Sequence, residues 1–428
     1  MDRLPGFRDF YPEPLPHPDL WSADARQYIF EKWRGVARRY GFREYDGPPL
    51  EPLDLFTTKS GDEIVAQLYN FTDKGQREIA LRPEMTPTLA RMVAAHERNY
   101  KKPIKWFAIP QLFRYERQQK GRLREHFQFN ADIFGESDFA ADAELIALLI
   151  DTLRSFGLTA KDFVIRLSSR NAWQDFFNQR CSDASKAYEF YQIIDKLERE
   201  QPDASREKLA KLGFSFDEIS AFIQTGKPTA ELEAILSNLA ARGLSEFVKV
   251  DYQVIRGLAY YTGVVFEAFD VQGEFRAIAG GGRYDNLVKL ISGGKVNLPA
   301  LGFGLGDVVL LELLKARGLL PKFDGGLDAF VLIEDETLRP QSLKLISDLR
   351  SAGYAVEYSL TPAKPDKQFK RAQELGAANT VKVDRAPNGE LQLKIKHLPT
   401  REEKVFSMEG ATQLAASKQL LREANEEK

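Results

Sequence analysis

Polar and apolar positions alternate through the stretch FRYERQQKGRLREHFQFNADIFG, residues 113–135. In its second half Gln128, Asn130 and Asp132 interleave with Phe127, Phe129 and Ile133. A period of two turns these sets to opposite faces of a strand, one apolar and one polar. A shorter strand-like run precedes it, with Arg114, Glu116 and Arg117 as its polar positions. A basic tip holding Lys120, Gly121, Arg122 and Arg124 joins the two runs. The pattern predicts a hairpin with a long cationic loop, presenting Arg114, Glu116, Gln128 and Asp132 on one sheet face. A guanidinium fork suits phosphate. Carboxylates and amides suit an ammonium, an imidazole or an exocyclic amine.

The same reading covers the rest of the chain. Five prolines between Pro5 and Pro18 predict an extended arm. Trp21, Tyr28, Ile29, Trp33, Val36 and Ala37 recur at helical spacing, with Asp19 or Ser22 as caps and Gly41 as the stop. A strand at about 42–45 halts at Pro48-Pro49. The run LYNFTDKGQREIALRPEMTP predicts two strands around Asp73-Lys74-Gly75. Glu84, Met85 and Thr86 then fall between a strand end and a helix N-terminus, a good place for a ligand. A strand at 101–110, a helix at 138–156 and a strand at 162–168 follow. Residues 169–244 switch to charged helical segments and read as a helical insertion. The sheet pattern resumes at Phe247, with two strands around a loop from Arg256 to Gly263.

In that loop Arg256 has few ways to be buried without an anion. Tyr260 and Tyr261 cannot both face the core of a strand, since neighbours point to opposite sides. Gly280, Gly281 and Gly282 read as a turn opening a helix, with backbone free to lie against a flat or anionic ligand. Residues 299–317 read as a glycine-rich strand and an apolar helix, packed for the core. After a linker at 321–326, strands and helices alternate as in a doubly wound sheet, ending in a helix at about 410–424.

Composition narrows the function classes. The 428 residues suggest two to four domains. The net charge of −2 announces no nucleic-acid partner, so any such partner needs local basic patches. The single cysteine, Cys181, excludes an internal disulfide and a multi-cysteine zinc site, and it fits a reducing compartment. The four histidines have no metal-ligand spacing. The N-terminus lacks the apolar stretch of a signal peptide, and no run of 18 apolar residues exists.

Together these segments resemble a class II aminoacyl-tRNA synthetase, and within that class the histidyl-tRNA synthetases. LPGFRDFYP resembles the family's N-terminal entry, and the helix–strand–Pro48-Pro49 unit its dimer-forming first motif. LRPEMTP resembles its LRPE-x-T segment, and FRYERQQKGRLREHFQF its second class motif. RGLAYYTGVVFE and AGGGRYDNLV resemble its two histidine-specific motifs. The resemblance implies an α+β fold: an antiparallel-sheet catalytic domain over 1–168 and 245–321, the helical insertion over 169–244, and a C-terminal α/β anticodon-binding domain over 326–428.

It also implies a reaction, in which histidine is activated with ATP to histidyl-adenylate and passed to tRNA(His). Arg114, Glu116, Arg122 and Arg256 would bind ATP, with magnesium on its phosphates. Glu84, Met85, Thr86, Gln128, Asp132, Tyr260 and Tyr261 would enclose histidine. Arg256, Arg114 and Gln128 would carry catalysis. A cytoplasmic homodimer is implied as well. The family's third motif ends in an arginine over the ATP γ-phosphate. Here the stretch reads Gly306-Asp307-Val308-Val309, and Ala259 stands where aspartate is common. That combination resembles a branch that includes plant organellar members, and it implies another cation over the γ-phosphate. Two other readings compete: a synthetase-like regulatory subunit of ATP phosphoribosyltransferase, and a catalytically dead tRNA-binding paralogue.

Overall fold

The computed structural model describes residues 2–57, 66–115, 123–197, 200–256, 260–323 and 326–408. The chain divides into two compact units. Met1–Asp9 and Ala25–Leu320 form the first; Phe10–Asp24 and Pro321–Lys428 form the second.

Helix α1, Ala23–Arg39, buries Ala25, Ile29, Trp33, Val36 and Ala37, one stripe at helical spacing. Gly41 ends it in the left-handed region at φ +77°. Helix α2 spans Thr86–His96. Strands β1, Ile104–Ala108, and β2, Glu125–Phe134, come next. Helix α3, Ala140–Arg154, is apolar almost all round and lies buried. Strands β3, Phe163–Ser169, β4, Val264–Asp270, β5, Ala279–Arg283, and β6, Ala300–Gly306, complete the central set, and helix α4, Asp307–Ala316, follows β6 directly.

These strands build a nine-stranded sheet from the described residues. Its centre runs β3–β4–β5–β6–β2–β1 with every neighbour antiparallel. Short strands Val248–Val250 and Arg43–Glu44 extend the two edges in parallel. Gln111–Phe113 pairs with the start of β2. One sheet face carries Phe129, Phe303 and Phe107. Trp33 of α1 stacks on Phe129 at 5.7 Å, and Phe107 and Phe303 meet the same ring edge-on. Each such buried aromatic contributes about 1.5–3 kcal/mol of transfer free energy.

The segment between β3 and Val248–Val250 is helical. Five helices between Arg170 and Ala241 close over Trp173, Phe177, Phe190 and Phe214. Two local expectations change. Gly280, Gly281 and Gly282 lie inside β5 and not in a turn. Tyr260 and Tyr261 belong to no strand, so the rule of opposite faces does not apply to them, and both are buried.

In the second unit five strands run in the order Val356–Tyr358, Ala329–Leu332, Asn379–Arg385, Leu391–His397, Glu403–Ser407. The first three are parallel and the last two antiparallel, so the sheet is mixed and not doubly wound throughout. Helices Arg339–Ser351 and Pro365–Glu374 supply the α layer. Val331, Leu345, Leu349, Val381, Leu393 and Ile395 form its core. Glu403–Ser407 was not anticipated from the pattern, and the helix expected at 410–424 lies outside the described residues.

Candidate active site

Registration decides what the sheet's other face presents. Gln128, Asn130 and Asp132 of β2 stand opposite Gly306, Gly304 and Gly302 of β6. Gly304 and Gly302 stand opposite Gly280 and Gly282 of β5, and Gly280 stands opposite Glu267 of β4. The face is therefore a trough of glycines two strands wide, walled by polar residues of β2 and by Glu267. Its glycines are needed because neighbouring side chains lie flat across them. A Cβ at Gly280 would overlap the Arg256 guanidinium, and one at Gly302 the Asp132 carboxylate. One at Gly304 would come within 2.6 Å of Gln128.

Two cavities open on this trough. A small inner one, about 60 Å³, is lined by Glu84, Thr86, Asn130, Asp132, Tyr260, Tyr261 and Tyr284, among others. An outer one, about 390 Å³, is lined by Leu123, His126, Glu267, Phe269, Arg276, Val308 and Val309, among others. Arg114, Gln128 and Arg256 line both.

The inner groups are held by fixed partners. Arg114 donates from Nε to the Pro83 carbonyl at 2.9 Å, and Arg82 donates to the carbonyls of Gln111 and Gly47. Those bonds fix the segment that aims Glu84 inward. The Tyr260 hydroxyl donates to Glu84 at 2.7 Å, and Thr86 also hydrogen-bonds Tyr260. The Tyr284 hydroxyl donates to Asp132. Burial pushes the Asp132 carboxyl up to about 7, with the Tyr284 bond pulling it back. A cation entering beside Asp132 would restore its charge. Burial, with Arg114 and Arg8 nearby, drives His126 down to about 3, so its ring is neutral at pH 7.

Arg256 follows a different pattern. Its Nη1 lies 3.2 Å from Glu267 Oε1, and its Nε is buried with no hydrogen-bond partner among the described residues. The anion demanded by burial is thus Glu267, in part. Its backbone sits at φ +53°, a left-handed conformation that costs a non-glycine residue about 1 kcal/mol or more. Arg170, first residue of the helix Arg170–Asn178, donates to the Arg256 carbonyl at 3.2 Å and helps hold it there.

Comparison with known proteins supplies the family. The family model described as histidyl-tRNA synthetase matches residues 19–307, and an anticodon binding domain matches residues 328–416. A histidine–tRNA ligase of Opitutus terrae is 46% identical over 423 residues, covering 94% of each chain. The chain belongs to the histidyl-tRNA synthetase family. Its enzyme class is that of the family, an ATP-dependent aminoacyl-tRNA ligase. The chloroplastic/mitochondrial histidine–tRNA ligase of Arabidopsis thaliana is 38% identical, covering 93% of this chain and 83% of that protein. The crystal structure of histidyl-tRNA synthetase from Nostoc sp. PCC 7120 shares the fold at TM-score 0.74 and 23% identity, covering 91% of this chain and 95% of that one.

Among the residues singled out from sequence, the fold brings Arg114, Arg256, Gln128, Glu84, Thr86, Asp132, Tyr260 and Tyr261 to one trough. Met85 is different. It is fully buried, lines neither cavity and packs its sulfur 3.8 Å from Arg82. Glu116 and Arg122 lie outside the described residues, as do Lys120 and Ala259. The third-motif stretch finds a structural use. Asp307 is buried, accepts from Arg8 at 2.8 Å and from the Phe127 backbone at 3.0 Å, and lines neither cavity. Arg8 also grips Glu125 at 2.6 Å, which ties the N-terminal segment to β2 and α4.

Tyr284, Glu267, His126 and Arg276 were missed. For Glu267 the signal was present, since it is the one charged residue inside the run VVFEAF. For Arg276 there was none, because its hairpin reads as an ordinary surface turn.

Proposed function

We propose that this protein joins L-histidine to tRNA(His) in two steps at the glycine trough. The observation that carries the reading is the shared wall: Arg114 and Arg256 border both the small carboxylate-rich cavity and the larger cationic one. Histidine occupies the inner cavity. Glu84 and Asp132, each held by a tyrosine hydroxyl, accept from its ammonium and its imidazole, while Thr86, Gln128 and Tyr261 close around it. Its carboxylate then faces the wall between the two guanidiniums.

ATP occupies the outer cavity with its α-phosphorus at that wall. The carboxylate oxygen attacks phosphorus, a new C–O–P bond forms, and the bond to the β-phosphate breaks with its electron pair leaving on pyrophosphate. Negative charge spreads over the non-bridging oxygens during this attack. Arg114 and Arg256 donate to those oxygens from fixed positions, so little reorganisation is required. A terminal hydroxyl of tRNA then attacks the activated carbonyl, and AMP leaves.

Among the described residues no group of three or more His, Cys, Asp or Glu forms a metal cage. The outer cavity's described lining holds one carboxylate, Glu267. Magnesium fits here as an ion carried on ATP, where it supplies positive charge against the phosphate oxygens. The reading includes tRNA contact by the C-terminal unit, a cytoplasmic setting and a homodimer. No helix among the described residues is long and apolar enough to cross a membrane.

The test is histidine-dependent exchange of labelled pyrophosphate into ATP, followed by charging of tRNA(His). Exchange and charging with histidine alone among the amino acids support the reading. Absence of exchange from the purified full chain overturns it. Light scattering at twice the 48.5 kDa chain mass checks the homodimer.

A further inference from the structure

Arg276 stands in the hairpin that joins β4 to β5, and it lines the outer cavity alone. Arg276 precedes Ala279 of β5 by three residues, and Ala279 pairs with Leu305 near the end of β6, just before α4 begins at Asp307. The hairpin stem is still paired close to this point, since the Ile278 N–H donates to the Ala268 carbonyl at 2.8 Å. Val308 and Val309 line the same cavity and bring no charge. Asp307 beside them is turned to Arg8.

The cavity's charge inventory then becomes specific. Among its described lining residues the cations are Arg114, Arg256 and Arg276, and the one carboxylate, Glu267, lies on Arg256. Arg114 and Arg256 belong to the wall shared with the inner cavity. A ligand that reacts at that wall must send whatever lies beyond the reacting phosphorus into the outer cavity. Part of that is a nucleoside, which carries no charge. The other part is a pair of phosphates with about three negative charges, and it becomes the leaving group. Arg276 is exposed, so its charge costs little desolvation before the ligand arrives.

We infer that Arg276 is the cation that binds the β- and γ-phosphates of ATP and receives the departing pyrophosphate. It does from the β4–β5 hairpin what no side chain does from the first turn of α4. When the bond between the α-phosphorus and its bridging oxygen breaks, the electron pair moves to the pyrophosphate oxygen, and the Arg276 guanidinium balances that charge. This inference rests on the ligase reading above.

The experiment uses the full chain, with Arg276→Ala and Arg276→Lys beside the wild type. Pyrophosphate exchange gives KM for ATP and for histidine, and calorimetry gives the affinities of inorganic pyrophosphate and of AMP. Loss of a charge-assisted pair predicts a rise of about 10- to 100-fold in KM for ATP with Arg276→Ala. Pyrophosphate affinity falls by a similar factor. AMP affinity and KM for histidine hold, and Arg276→Lys recovers part of the loss. An unchanged KM for ATP overturns the inference, and so does an equal loss of AMP affinity, which would mark a structural role. Wild type without exchange would sink the ligase reading, whereas active wild type with an indifferent Arg276→Ala sinks this inference only.

Discussion

Arg283 and Arg256 are both arginines withdrawn from water beside a carboxylate, and their surroundings differ. Arg283 ends β5 and meets Asp142 of α3, with side chains only 4% and 1% exposed. Its Nε lies 2.9 Å from one Asp142 oxygen, Nη1 donates to the Glu136 carbonyl at 3.1 Å, and Nη2 donates to the Asp138 carbonyl at 2.8 Å. Every nitrogen has a use within the fold. Arg256 and Glu267 are each 19% exposed and meet through one nitrogen, while another nitrogen lacks a partner among the described residues and the backbone is strained. A satisfied guanidinium joins a helix to a sheet. An under-satisfied one, held in place at a cavity wall, retains binding capacity for a ligand. The contrast teaches that burial of an arginine says little about its role until its donors are counted.

That comparison can be broken in graded ways. Removing the scaffold pair should have the largest effect. Arg283→Met leaves the Asp142 carboxylate buried and alone, and it should cost about 3–5 kcal/mol of stability. Urea denaturation measures it, and a loss under 1 kcal/mol would reduce the pair to an ornament of the surface.

Arg256→Ala should invert the pattern. Adenylate formation should fall about 100- to 1,000-fold, the scale of losing one fixed donor at a developing charge. The urea midpoint should stay close to wild type, because the residue is already strained. A rate within threefold of wild type removes Arg256 from the chemistry.

Asp132 offers a smaller, pH-dependent test. Burial raises its pKa to about 7, so below that the carboxyl holds a proton. A cationic ligand favours the ionised form, so histidine affinity should climb as pH rises toward 7 and level off above it. Between pH 8 and pH 6 the wild type should lose up to about tenfold more affinity than Asp132→Asn, since one unit of pH below the pKa is one decade. Parallel pH profiles for the two proteins would place the titration elsewhere. Glu267→Gln is the mildest case. It keeps the hydrogen-bond acceptor and removes one charge from a partly exposed pair, so KM for ATP should change by less than about fivefold.

Much of this was legible in the chain itself. The hairpin around residues 113–135 could be read because alternation is local and a strand's two faces follow from its period. Ile29, Trp33, Val36 and Ala37 of the α1 stripe could be read for the same reason, with a period of 3.6, whereas Ala25 was not picked out. The roles expected of Arg114, Gln128, Glu84 and Arg256 came from the motifs around them, FRYERQQKGRLREHFQF, LRPEMTP and RGLAYYTGVVFE, which resemble the family's. The C-terminal alternation gave most of its strands, but in Glu403–Ser407 the apolar Val405 is exposed and Lys404 is half-buried, so its faces do not follow polarity.

What tertiary structure alone decided is the meaning of the glycines and of the isolated charges. Gly280, Gly302 and Gly304 read as a turn and as core packing, since nothing near them in sequence shows what lies above. The side chains that fill their space come from Asp132 and Gln128 on β2 and from Arg256 in the segment that precedes β4. Met85 shows the same limit from the other side: its two neighbours line the cavity, but its own side chain is buried against Arg82. A residue's intrinsic preferences are written in its own neighbourhood. Which distant side chain covers a bare backbone, and which lone charge reaches a shared cavity, is set by strand register across the sheet, and register exists only once the chain has folded.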